Sequence, residues 1–315
     1  VRGLWIESGR VTLRDDLPEP EPGPGEAVVR VVLAGVCGTD LAILAGYAGF
    51  RGVPGHEFVG VVERSADRSW HGRRVVASIN VGCGACASCA RGVREHCARR
   101  GVIGVRGRPG AFAERLAVPE ANLVPVPGGL ADEVAVFAEP LAAALRVPRQ
   151  VPVRTGTRAL VVGDGRLGQL VARVLRAHGA ELLVAGHHER KCALLRAAGI
   201  DARVRPALEP GGYELVVEAT GRAEGFAAAR AAVRPRGSLV LKTSHGAPLA
   251  VDLAALMVDE VSLVGSRCGP VDAALAWLEG GRIDPRPLVD AVLPLTTDAF
   301  DAAARPGALK VLIRP

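Results

Sequence analysis

Four cysteines, Cys83, Cys86, Cys89 and Cys97, stand in the order C-x2-C-x2-C-x7-C, separated by small residues such as Gly84, Ala85 and Ser88. Thiolates at that spacing can close a tetrahedral zinc site on a loop. Disulfides are the weaker alternative, because such short intervals strain them and the chain reads as cytoplasmic. A closed shell of four sulfurs leaves no position for a substrate, so this metal would be structural. Cys37, in Gly35-Val36-Cys37-Gly38-Thr39-Asp40, reads by itself as a small buried hydrophobe more readily than as a ligand. His56 and Glu57 shift that balance. They follow Val53-Pro54-Gly55, a turn from which an imidazole and a carboxylate can point into one site, although the pair alone could equally sit on the surface. Cys192 and Cys268 read as packing thiols.

A second constellation is Gly163-Asp164-Gly165-Arg166-Leu167-Gly168, which fits G-x-G-x-x-G. An apolar strand over 159–162 precedes it, a helix over 167–178 closed by Gly179 follows, and a second strand runs over 182–185. The glycines suit a tight turn, a close approach of backbone to pyrophosphate and tight helix–strand packing, so Gly163, Gly165, Leu167 and Gly168 are candidate dinucleotide contacts. An NAD enzyme usually ends the second strand in Asp or Glu, which binds the ribose hydroxyls and repels a 2′-phosphate. Here that position is Gly186, followed by His187, His188, Glu189, Arg190 and Lys191. Those side chains can surround a phosphate with donors and positive charge, so NADP(H) is expected over NAD(H), carried mainly by Arg190 with help from His187, His188 or Lys191. A solvated helix start is the plainer alternative.

The elements that must position these groups fall into two patterns. Residues 1–126 read as short strands with Gly and Pro punctuation, beginning with a hairpin over 1–14 and an extended connection over 18–25. Residues 131–145 read as a helix interrupted at Glu139-Pro140, and the cost of a proline inside a helix favours a ligand role for Glu139. After the fingerprint, strands over 202–205, 213–219, 238–242 and 261–265 alternate with helices, one of them over 223–233. The count gives a doubly wound, parallel, six-stranded α/β sheet. Ligands bind at the carboxyl ends of such strands, which points to Thr220 with Gly221, Lys242 with Thr243, and Ser266 with Arg267. The tail contains helices over 273–278 and 297–304 and strands over 291–293 and 309–313.

At 315 residues there is room for two domains with real cores. The hydrophobic fraction of 49% is ordinary, and no apolar run is long enough to span a bilayer. No leader with a cleavage site is seen, so a cytoplasmic location is expected and a membrane partner is not. The net charge of +6 is modest and spread along the chain, which argues against nucleic acid.

Gly-Val-Cys37-Gly-Thr-Asp, Pro-Gly-His56-Glu57, the four-cysteine lobe, Glu139-Pro-Leu and the nucleotide fingerprint occur in the order of the zinc-dependent medium-chain dehydrogenases, and the resemblance spans nearly the whole chain. The chain is most similar to the threonine, polyol and sugar dehydrogenase groups. The resemblance implies a GroES-like β-rich catalytic domain over 1–146 and 268–315, a Rossmann domain over 147–267 and an active site between them. It also implies two zinc ions per chain. Cys37 and His56 would be ligands of the catalytic zinc, with Glu57 and Glu139 as carboxylate ligands that exchange with water, and Thr39 would hydrogen-bond the substrate hydroxyl. Zinc as a Lewis acid lowers the pKa of an alcohol, so that hydride can leave for nicotinamide. The implied activity is alcohol oxidation or carbonyl reduction, in a homodimer or homotetramer. One departure is Ala42, where related enzymes often carry a histidine that relays the proton to solvent. A zinc-independent enone or quinone reductase would lack the cysteine and histidine clusters, whereas a non-catalytic nucleotide sensor could retain them.

Overall fold

The computed structural model describes residues 1–243 and 248–315. Strands β1 (Gly3–Glu7), β2 (Arg10–Arg14) and β3 (Glu26–Gly35) lead into helix α1 (Gly38–Leu44). Strands β4 (Glu57–Ser65), β5 (Arg74–Ala77) and β6 (Asn80–Val81) follow, then the single turn α2 (Ala87–Ala90). Next come β7 (Gly101–Ile103), β8 (Gly107–Arg108), β9 (Arg115–Pro119), β10 (Leu123–Pro125), α3 (Asp132–Ala135) and α4 (Ala138–Gln150). The α/β region comprises β11 (Arg158–Val162), α5 (Arg166–Ala177), β12 (Glu181–Gly186), α6 (Glu189–Ala197) and β13 (Asp201–Val204). It continues through β14 (Tyr213–Glu218), α7 (Ala223–Ala232), β15 (Val233–Leu241), α8 (Leu253–Val258) and β16 (Ser262–Gly265). The tail holds α9 (Val271–Glu279), β17 (Val289–Pro294), α10 (Asp298–Ala304) and β18 (Lys310–Arg314).

The chain forms two compact units, one of Val1–Glu139 with Pro270–Pro315 and one of Pro140–Gly269. The first division therefore falls within α4, ahead of the residue 146 expected from sequence, and the second falls after Gly269 rather than 267. In the first unit the main sheet has the order β10-β5-β4-β3-β18-β17, with β9 also paired to β3. The tail strand β18 lies beside β3, Leu312 opposite Gly35, while Glu57 of β4 lies opposite the same glycine. Phe112 and Phe300 meet edge to face at 5.8 Å, which ties the tail helix α10 to the early β structure.

In the second unit the six strands are all parallel, in the order β13-β12-β11-β14-β15-β16. Strands buried on both faces read as apolar runs, as Ala159–Val162 and Leu215–Val217 do. The order reverses between β11 and β14, and that is where the carboxyl ends of a doubly wound sheet open a crevice for a ligand.

Two expectations need correction. The break near residue 139 lies earlier, between α3 and α4, and Pro140 occupies the first turn of α4. Proline is tolerated there because its missing N–H has no intrahelical acceptor, so Pro140 is no strain that a ligand role for Glu139 must offset. Val233 starts β15 and pairs with Tyr213 instead of ending α7. Its branched side chain packs in the cluster of Leu160, Val216 and Phe226, and an extended backbone suits such a residue.

The fingerprint glycines have separate duties. Gly163 is held at φ 118°, and a Cβ on Gly168 would come within 2.1 Å of the Gly163 carbonyl oxygen. A Cβ on Gly165 would meet nothing within 4 Å. Gly168→Ala is therefore expected to force α5 from β11 and cost about 1–3 kcal/mol, while Gly165→Ala costs about 1 kcal/mol or less, the difference between the two as N-caps. Denaturant unfolding of both variants measures the order; equal losses would contradict this packing.

Candidate functional site

The four lobe cysteines converge, with all ligand atoms within 4.8 Å of one another. Cys86 Sγ lies 3.6 Å from Cys89 Sγ and 3.7 Å from Cys97 Sγ. Zn–S bonds of about 2.3 Å in a tetrahedron require edges of about 3.8 Å, so the donor set fits zinc, and the sulfurs are too far apart for a disulfide. Gly84 at φ 76° turns the loop. The Cys83 pKa is lowered to about 6, first by the Ala85 N–H and then by the Cys97 thiol; burial opposes, and Arg99 helps. Cys86 is lowered as well, chiefly by the Cys89 N–H. From Gly82 to Arg100 only Cys97 is buried, so this segment has almost no apolar core of its own.

The second cluster brings together Cys37, His56 and Glu57, again with ligand atoms within 4.8 Å. Cys37 is the N-cap of α1, and Asp40 at the third helical position accepts its N–H at 2.8 Å, the reach-back of a capping box. The other Asp40 oxygen accepts from the Gly55 N–H at 3.3 Å and stands 3.4 Å from His56 Nδ1. That last contact is a charge contact, since Nδ1 has no hydrogen-bond partner. Asp40 thus stands against Nδ1, the side from which a carboxylate orients a ligating histidine, so Nε2 would be the atom left for a metal. Burial lowers the His56 pKa, but the Asp40 charge and contact together with Cys37 outweigh it, and the imidazole is raised well above its ordinary value. His56 lies just before β4 and Glu57 is its first residue, so strand alternation does not force their side chains apart. The Glu57 carboxylate is bonded to the ammonium of Lys310, both side chains being buried. Thr39 Oγ1 is 3.7 Å from Cys37 Sγ. Glu139, half-buried in the first turn of α4, is not a member of this cluster. Soft thiolate, imidazole and carboxylate donors together suit zinc.

At the carboxyl ends of the parallel strands, Glu218 is fully buried and accepts from the N–H groups of Thr220 and Gly221, at 2.6 and 3.1 Å, and from the Thr243 hydroxyl at 3.1 Å. Lys242 Nζ donates to Ser266 Oγ at 3.1 Å and to the Arg267 carbonyl at 2.7 Å. The polar residues expected at the strand ends are thereby drawn into two small networks. At the end of β12, the Asp164 carboxylate accepts the N–H groups of His187 and His188 at 2.8 and 2.7 Å. His187 and Arg190 are exposed and His188 is half-buried, whereas Lys191 is buried on the inner side of α6. Arg205, following β13, lies 2.9 Å from His187 Nε2.

Residues 23–128 match the alcohol dehydrogenase GroES-like domain family and residues 167–279 the zinc-binding dehydrogenase family. An alcohol dehydrogenase of Thermus sp. ATN1 superposes with a TM-score of 0.90 and 30% identity, covering 100% of this chain and 99% of that one. The chain belongs to the zinc-binding alcohol dehydrogenase family. A Sinorhizobium meliloti 1021 protein solved with NADP bound superposes with a TM-score of 0.91 at 27% identity, covering 100% and 99%. The L-threonine 3-dehydrogenase of Rhizobium etli is 32% identical over 71% of this chain, and the match spans 64% of that enzyme's length.

For this family member, reading by motif passed over four side chains that set the local geometry. Asp40 carried a signal, since its spacing from Cys37 is that of a capping box. Asp164 also carried one, as an acid inside the glycine fingerprint. Lys310 and Arg205 carried none: the first is distant in sequence, and the second depends on a non-glycine residue in the left-handed region, at φ 45°.

Because the lobe lacks its own core, metal binding there would be folding energy. Cys86→Ser is expected to release about one zinc per chain and lower Tm. Metal analysis with thermal unfolding checks this, and a variant as stable as wild type with unchanged zinc would contradict it.

Proposed function

We propose that this chain is a zinc-dependent dehydrogenase that transfers hydride between an alcohol or polyol and NADP(H), with Cys37, His56, Glu57 and Thr39 at its reacting centre. The observation that carries this reading is the convergence of Cys37, His56 and Glu57 with Asp40 behind the imidazole. Cys37 and His56 would hold the catalytic ion, with Glu57 as an exchangeable ligand and Glu139 as a further carboxylate available from α4. Cys83, Cys86, Cys89 and Cys97 would hold a second, structural ion. Zinc, when bound, supplies Lewis acidity that eases loss of the substrate's hydroxyl proton. Thr39 would hydrogen-bond that hydroxyl and pass its proton on. With Ala42 in place of a relaying histidine, the proton would have to leave Thr39 by another route or more slowly. Asp40 keeps the His56 ring in one orientation throughout.

The cofactor preference rests on the end of β12. Gly165 at the start of α5 leaves the backbone open to a pyrophosphate, and Gly163, Leu167 and Gly168 complete that turn. Gly186 offers no carboxylate to a 2′-phosphate, and the nearby Asp164 is held by two backbone N–H groups. Exposed Arg190 and His187, with His188 beside them, supply the phosphate donors, while Thr220 and Arg267 would face the cofactor from other strand ends. Burial of Lys191 removes it from the exposed set.

The seven cysteines are all free, which favours a reducing compartment such as the cytoplasm. Among the described residues no helix is long and apolar enough to cross a membrane. We place the protein in a homodimer or homotetramer. Edge strand β16 and the exposed Leu253, Met257 and Val258 of α8 support association with a second copy.

The test is an activity screen over alcohols, polyols and carbonyl compounds with both cofactors. NADP(H) is expected to give the higher kcat/KM, and Arg190→Ala to raise KM for NADP(H) by about tenfold or more, the worth of a charged hydrogen bond. Equal or better kcat/KM with NAD(H) removes the cofactor reading. Cys37→Ser is expected to lose turnover while unfolding normally and binding cofactor; full activity in zinc-free protein would overturn the mechanism.

A further inference from the structure

Arg205 holds an unfavourable backbone conformation for which packing gives no reason. Its φ is 45°, in the left-handed region, and Pro206 follows it. A long side chain avoids that region, and a proline pushes the residue before it toward extended backbone, so the conformation is disfavoured twice. The side chain is exposed and fills no core. Strain of this kind persists only where the surroundings hold it, and it gathers at ligand sites. Two contacts hold Arg205. Its N–H donates to the Gly186 carbonyl at 2.9 Å, one step past the pairing of Val204 with Gly186 that ends the ladder between β13 and β12. Its guanidinium donates to His187 Nε2 at 2.9 Å. A guanidinium can only donate, so Nε2 accepts, and the ring hydrogen of this arrangement is on Nδ1. His187 is thus a rest for the arginine.

Both contacts bring Arg205 to the end of β12, where an acid would bind the ribose hydroxyls and where a phosphate on that ribose would lie. Two features of the place call for a cation there. The N–H groups of His187 and His188 are taken by the Asp164 carboxylate, and Asp164 Oδ2 lies 3.0 Å from where a Cβ on Gly186 would stand. A phosphate at this position therefore meets a negative charge and must draw its donors from side chains. Arg190 comes from the chain that follows Gly186, Arg205 from the strand beside it. A planar guanidinium can give a phosphate two parallel N–H bonds. We propose that Arg205 is a specificity-determining residue that leaves His187 to grip the 2′-phosphate of NADP(H), and that its strained backbone is kept for this purpose. The proposal rests on the NADP(H) reading put forward above.

The experiment is calorimetric titration of the zinc-loaded full chain with NADP+ and with NAD+, together with Tm of the cofactor-free protein. Arg205→Ala is expected to weaken NADP+ by about tenfold or more, the worth of a charged hydrogen bond, and to change NAD+ by less than about twofold. Arg205→Gly is expected to lose as much NADP+ affinity while its Tm rises above wild type, because glycine relieves the left-handed strain. Arg205→Lys, which keeps the charge without the fork, should fall between wild type and Arg205→Ala. A purely structural arginine predicts that Arg205→Ala weakens both cofactors alike, or lowers Tm and leaves both unchanged. Either result, or an Arg205→Gly variant less stable than wild type, overturns the proposal while a wild type that prefers NADP+ keeps the cofactor reading. A wild type that binds NAD+ as tightly as NADP+ removes that reading, and this proposal with it.

Discussion

The first unit is built around the burial of charge. Asp40, His56, Glu57 and Lys310 are all buried near the Cys37 thiol, and each of these groups is tolerable there only because of the others. Asp40 balances His56 and caps the helix that presents Cys37; Lys310 balances Glu57. The sheet order follows from the same need. Strand β3 must lie between β4 and β18, with glycine at position 35, for Glu57 and Lys310 to meet across it. Returning the tail to the first unit is what delivers the cation.

The second unit handles charge differently. Its buried carboxylates, Asp164 and Glu218, take backbone N–H groups at strand ends, which ties two loops to the sheet. Asp164 links the fingerprint turn to the loop after β12. Glu218 links the Thr220–Gly221 turn to Thr243 on the next strand. The loops at these strand ends are thus tied to one another and to the sheet.

Much of this was legible in the sequence, for reasons that differ by element. The lobe cysteines lie within fifteen residues, and their spacing alone implies a shared ion. The parallel strands show as apolar runs between helical segments, and the sixfold count follows directly. Local rules failed where backbone position decides the outcome. Pro140 implies strain only if α4 starts earlier than it does, and the face that Lys191 takes on α6 depends on packing. Lys310 was out of reach, since its partner Glu57 is 253 residues away. Pairings of that kind depend on sheet register, which no local pattern encodes.

The central claim is that a zinc-supported set of buried side chains moves hydride from a carbinol carbon to nicotinamide. It is tested most directly with a substrate alcohol found in the screen, deuterated at that carbon, and NADP+. Mass spectrometry of the cofactor would compare zinc-replete protein, chelator-stripped protein and stripped protein with zinc restored. The account predicts deuterium on the nicotinamide ring with replete and restored protein and none above background with stripped protein. Undiminished transfer by the stripped protein would contradict it.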